Sequence, residues 1–204
     1  MHHSSSLIIT EMRTTFLSLL LMLSLPIVAQ EEHGFQKMNV LRDFNENGFT
    51  WYASPLLLAA GNAEKSNAMT IGWGAIGALW GMQRPCVTVY VAEHRHTKLF
   101  MDSSEYFTVM AFDDGDNILE YMGSKSGRDG DKAKALGLHT AFTEHGAPYY
   151  TEADLVIECR TMYAAPFDPK GFRSDVPRRM YENFPAGIHT MYIGEVTGAW
   201  QKGK

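Results

Sequence analysis

The stretch from Asn67 to Phe100 constrains this chain most. Asn67-Ala-Met-Thr-Ile-Gly-Trp73 leads to Pro85-Cys-Val-Thr-Val-Tyr-Val91 and then to His94-Arg-His-Thr-Lys98. Strand alternation puts Met69, Ile71 and Trp73 on one face and Ala68, Thr70, Gly72 and Gly74 on the other. One face is bulky and apolar; the other is almost bare. A bare face with a single hydroxyl lets a planar ring approach the backbone, whose N–H and C=O groups can read the ring's edge. Arg95, Thr97 and Lys98 follow where a strand gives way to a helix. Two cations, a hydroxyl and free helix N–H groups converge there, as a phosphate requires. The pattern predicts a flat, phosphorylated ligand.

Gly72-Trp-Gly74-Ala-Ile-Gly77 imitates the glycine fingerprint of a dinucleotide-binding βαβ unit. Only Ala78 to Pro85 separates it from the next strand, and that piece holds Gly81 and Pro85, so a crossover helix does not fit. The glycines are expected to bend a barrel strand instead. His94 and His96 share a side if the strand continues through them, but no third ligand has metal-site spacing and Arg95 between them repels a cation. No metal is expected. Neither cysteine has an adjacent base and no G-x-S-x-G elbow occurs, so nucleophilic catalysis lacks support. A second cationic loop runs Ser124-Lys-Ser-Gly-Arg-Asp-Gly-Asp-Lys132.

The net charge of −5 gives no basic surface for nucleic acid, and 204 residues with 45% hydrophobic content suit one domain with a full core. The N-terminus differs in kind. Met12-Arg-Thr-Thr precedes an apolar run from Phe16 to Val28 and then Ala29-Gln30, the layout of a secretory signal. The run is shorter than the ~20 residues of a bilayer span, so export, with a periplasmic destination, is expected rather than stable membrane insertion. Residues 1–30 are therefore set apart as signal plus upstream extension, leaving 31–204 as one domain. Cys86 and Cys159 both lie in strand-like runs, and sequence leaves open whether they pair.

Strand patterns cover Trp51–Ala60, Ala68–Ala78, Cys86–Ala92, Tyr106–Phe112, Leu155–Tyr163 and Ile188–Val196. In the fifth, Glu158 and Arg160 alternate with apolar residues, which predicts one wet face and an antiparallel sheet. Thr97 is placed to cap a helix over Lys98–Asp102, Asn117 with Glu120 resembles a capping box, and a third helix is expected from near Asp129 to Gly137. The fold class is mainly β: a mostly antiparallel barrel with short helical insertions.

Five blocks in order, Asn67–Trp73, Arg95-His-Thr97, Glu105-Tyr-Phe-Thr-Val109, Ser126–Lys132 and His189-Thr-Met-Tyr-Ile-Gly-Glu-Val196, resemble the flavin reductase-like family, particularly its flavoredoxin-type members. The resemblance implies an FMN-binding split β-barrel, usually a homodimer with each flavin near the subunit interface. It implies that Asn67, Ala68, Met69, Thr70 and Trp73 line the isoalloxazine and that Arg95, Thr97 and Lys98 hold the phosphate. Lys132 then supports the ribityl-phosphate end, and His189 lies near the ring as the catalytic candidate. The implied activity is an NAD(P)H-dependent flavin oxidoreductase. An electron carrier with bound FMN and a protein redox partner, or a non-catalytic flavin-binding module, are the alternatives.

Overall fold

The computed structural model describes residues 33–113 and 116–203; the export segment expected over 1–30 lies outside the described residues. In chain order the elements are β1 (Phe35–Lys37), α1 (Val40–Asp43), β2 (Leu56–Gly61), β3 (Ser66–Ile71), β4 (Gly74–Ala78) and β5 (Pro85–Ala92). They continue with α2 (Thr97–Ser103), β6 (Tyr106–Ala111), α3 (Asp116–Ser124), α4 (Lys132–Ala135), β7 (Thr140–Phe142) and β8 (Pro148–Tyr150). Last come β9 (Leu155–Pro166), α5 (Asp175–Glu182) and β10 (His189–Lys202). The main sheet runs β3-β2-β6-β9-β10-β5-β4 with β1 added to β10, and β7 and β8 form their own hairpin. Every pairing is antiparallel, as the alternation predicts.

The sheet is rolled because its strands share one interior. Leu56, Leu58, Val87, Val89, Val91, Phe107, Val109, Ile157, Cys159 and Tyr192 pack there from β2, β5, β6, β9 and β10. Two register shifts in β10, at Ile193/Gly194 and Val196/Gly198, add the twist that rolling needs. A Cβ on Gly194 would lie 2.6 Å from both Cys159 Cβ and the Phe107 ring, so only glycine lets the strand pass. A second core forms outside the barrel, where Leu57, Ala59, Ala68, Met110 and Val156 meet Leu119, Met122, Ala133 and Tyr149 of α3, α4 and β8. Strands β2 and β6 are therefore buried on both faces.

That second core corrects the expected wet face of β9. Glu158 is only 1% exposed, with its carboxylate accepting from the Thr197 hydroxyl and lying 2.8 Å from His145 Nδ1. Of the two charged residues, Arg160 remains outside, paired with Glu105 at 2.8 Å. The expected strand Ala68–Ala78 is two strands, broken at Gly72-Trp73, and β4 turns away to pair with β5. No crossover helix intervenes, so the glycine fingerprint is a barrel bend. At Gly74 a Cβ would sit 2.0 Å from the Tyr52 ring, which packs across the bend. Both cysteines are free and buried, which settles the pairing left open by sequence.

Candidate functional site

The start of β3 and the start of α2 meet through Asn67, whose Nδ2 donates to Thr97 Oγ1 at 2.7 Å. Thr97, 2% exposed, is thereby a fixed part of the wall. It is not the helix cap expected of it: His96 occupies that position and caps with no side-chain bond. Opposite stands the loop from Ser124 to Arg128. Its Gly127 lies so close that an added Cβ would be 2.1 Å from Asn67 Oδ1 and 2.8 Å from His96 Cδ2, and Arg128 Nη1 donates to the His94 carbonyl at 3.2 Å. The two cationic segments, far apart in sequence, thus line one cleft of about 220 Å3 that holds Asn67, Met69, Arg95, Thr97, Ser126 and Lys132 among its walls.

Lys132 closes the floor. It is 7% exposed, and its Nζ donates to the carbonyls of Ala68 at 2.6 Å and Met122 at 2.9 Å, tying β3 to the end of α3. Burial, with the nearby Arg95 charge, lowers its pKa from 10.5 to about 8. The folded protein therefore loses this proton at lower pH than the unfolded chain. From about pH 8 to 10.5 the unfolded state binds more protons, so the stability owed to Lys132 rises with pH across that window. Below it both states are protonated and the cost of burying the charge is fully present. Lys132→Met removes both bonds, leaving the Met122 carbonyl without this donor and the Ala68 carbonyl with Asn67 Nδ2 at 3.3 Å, and should destabilise the protein by about 2 kcal/mol at neutral pH. The gap between wild type and variant, measured by denaturant unfolding, should widen by on the order of 1–2 kcal/mol by pH 10. A gap independent of pH would show that the ammonium is not desolvated.

Two expected contributors stand elsewhere. Lys98 points to its own helix, pairing with Asp102 at 2.6 Å and lying 5.7 Å from the centre of the Tyr192 ring, while the Tyr192 hydroxyl donates to the same carboxylate. Arg95 lines the cleft from the turn before the helix, whereas Lys98, inside the helix, is not among its walls. The bare face of β3 is also not open. Ala68 is buried in the outer core, and the Thr70 hydroxyl donates to the Leu119 carbonyl while Gly123 of α3 packs against it. The small residues there admit a helix; Asn67 and Met69, on the opposite face, border the cleft.

His96 is a wall residue that the spacing singled out only as a metal candidate. Burial, then the charges of Arg128, Lys65 and Lys132, lowers its pKa, and its buried Nδ1 has no hydrogen-bond partner among the described residues. No cluster of three or more His, Cys, Asp and Glu suited to a metal occurs among those residues. Beyond Arg95, His189 opens β10 beside Ala92 of β5, and its ring lies 4.6 Å from that of Trp73. It is 8% exposed, and burial together with Arg95 depresses its pKa, so the ring is neutral at pH 7. Tyr181 of α5 reaches its Nδ1 at 2.8 Å.

A rolled antiparallel sheet with a cation-lined cleft at one strand end, and a tilted indole–imidazole pair beyond it, defines the fold class as a split barrel. Residues 50–204 match the family model described as the flavin reductase like domain, and the chain belongs to that family. Solved structures agree on the fold. A flavoredoxin from Methanosarcina acetivorans superposes with a TM-score of 0.55 at 22% identity, over 72% of this chain and 67% of that one. An FMN-binding domain of a flavin reductases-like enzyme from Shewanella baltica OS155 gives 0.59 at 16% identity, over 82% and 77%. An NADH:FAD oxidoreductase from Streptomyces globisporus gives 0.53 at 16%, over 72% and 74%. No curated protein matches the chain.

Proposed function

We propose that this protein binds FMN and acts as an NAD(P)H-dependent flavin oxidoreductase. The observation that carries the reading is the convergence of Arg95, Thr97, Arg128 and Lys132 on one cleft beside the Asn67–Met69 strand. The residues fit the cofactor. The cleft offers cationic and hydroxyl donors for a phosphate dianion, the His96 Nδ1 is a buried polar atom in need of a partner, and glycine at 127 keeps the loop against the strand. When bound, FMN supplies the redox chemistry, which no side chain of this site can perform.

The chain's own residues bind and orient. Arg95 supplies the exposed guanidinium for the phosphate, and Thr97, held by Asn67, presents its oxygen in a fixed position. Lys132 keeps β3 docked on α3 and adds positive potential that favours an anionic ligand. Trp73 and His189, inclined at 36° to each other, form an aromatic corner for a planar reactant, and the neutral imidazole can donate a hydrogen bond without adding charge. In the same reading the protein is a homodimer, supported by the exposed apolar Leu79, Trp80 and Met82 at the β4–β5 turn. The Met12–Gln30 segment directs export, supported by its charge and apolar pattern. Among the described residues no helix is long and apolar enough to cross a membrane.

The test is spectroscopic. Purified protein reconstituted with FMN should be yellow and should bleach when NADH or NADPH is added without oxygen. A yellow protein bleached only by dithionite or a reduced protein donor would make it an electron carrier, and a protein that takes up no FMN would overturn the reading altogether.

A further inference from the structure

We propose that Tyr181 is a positioning residue that holds His189 in one tautomer, with the ring proton on Nε2, so that the site selects a reactant presenting a carbonyl or carboxamide oxygen. This rests on the reading above, in which His189 faces the reacting partners. The imidazole is enclosed by aromatic rings: Trp73 at 4.6 Å, Phe184 at 5.2 Å and Tyr181 at 5.7 Å between centroids. Within that cage the Tyr181 hydroxyl, 2.8 Å from Nδ1, is its hydrogen-bond partner.

Which atom donates follows from acidity. A phenol is a better donor than a neutral imidazole N–H, and an unprotonated imidazole nitrogen is a better acceptor than a phenol oxygen. Burial raises the Tyr181 pKa, so its proton is in place. The Tyr181 O–H therefore donates to Nδ1, and the imidazole carries its own proton on Nε2. A neutral Nε2–H is a donor only. It matches the amide oxygen of a nicotinamide or another carbonyl oxygen, and it leaves an N–H group unpaired.

The support for Tyr181 is local and specific. Its ring stacks on Phe172 at 5.5 Å with 9° between planes, and Phe184 meets it edge-on at 6.1 Å. The Ser174 hydroxyl caps α5 by accepting from Val176 N at 3.1 Å, and Arg178 Nη2 donates to the Phe172 carbonyl at 2.6 Å. The helix thus presents the hydroxyl to the start of β10 as a fixed partner, the way an outer hydrogen bond fixes a ligating histidine.

The experiment uses ligand-free full-length protein labelled with 15N-histidine, with long-range 1H–15N spectra at pH 8 and the His189 signals assigned by their loss in His189→Gln. Wild type should show the protonated-nitrogen shift at Nε2 and the acceptor shift at Nδ1. In Tyr181→Phe the two shifts should move toward each other as both tautomers become populated. Phe184→Leu, which loosens the cage without touching the hydrogen bond, should keep the wild-type pattern. A proton on Nδ1 in wild type, unchanged shifts in Tyr181→Phe, or the same change in Phe184→Leu would overturn the proposal. With FMN bound, Tyr181→Phe should lower kcat/KM for the nicotinamide by about 10-fold while FMN affinity stays within about two-fold. A protein that nicotinamide never reduces would defeat the functional reading and leave the tautomer result intact.

Discussion

Replacing Arg95 with alanine weakens FMN binding by about 10- to 100-fold and leaves riboflavin binding nearly unchanged, as loss of one charge-assisted phosphate contact requires. Riboflavin lacks the phosphate, so the ratio of the two affinities, measured by fluorescence quenching, isolates the anion site from the ring site. Lys98→Ala should change the FMN affinity by less than about three-fold, because its ammonium is already engaged by Asp102 at 2.6 Å. Sequence spacing pairs these two cations as one clamp; the structure separates them. Equal losses for FMN and riboflavin, or a Lys98 effect as large as that of Arg95, would refute this division of roles.

Gly127→Ala should abolish tight FMN binding and lower stability by about 1–3 kcal/mol, the usual cost of forcing an extra methyl into a filled contact. The added Cβ would sit 2.1 Å from Asn67 Oδ1 and 2.8 Å from both Asn67 Cγ and His96 Cδ2. Asn67 cannot swing aside without releasing Thr97, so the loop must lift and the cleft loses one wall. Gly171→Ala, where a Cβ meets nothing within 4 Å, is the matched control and should lie within about 0.5 kcal/mol of wild type. Thermal melts and FMN titrations of the two variants decide it; a Gly127 variant that binds like the control would mean the loop does not wall the site.

The barrel is legible in the chain because alternation and turn residues are local. The six strand patterns each overlap an observed strand, and the short link before Pro85 is enough to dismiss the dinucleotide-binding imitation. The site is legible only as composition. Spacing identifies Arg95 and Thr97 as candidates and the family resemblance adds Asn67 and Lys132, but neither carries information on which face of β3 a distant helix covers. Ala68 and Thr70 read as open because nothing nearby in sequence announces that Leu119 and Gly123 will pack on them. Glu158 misleads for the same reason: its partners, His145 and Thr197, come from other segments. The strands β7 and β8, three residues each, are too short for a period to show. Tyr181 sits in a short polar helix with Pro177 in its first turn, and its link to His189 is a tertiary contact with no spacing signature.

Cys86 and Cys159 are buried, unbridged, and held as thiols by the burial that raises their pKa values. Nothing in the described barrel therefore depends on an oxidant for its assembly. Chemical reductants used in redox titrations of the protein will leave the scaffold's covalent framework untouched.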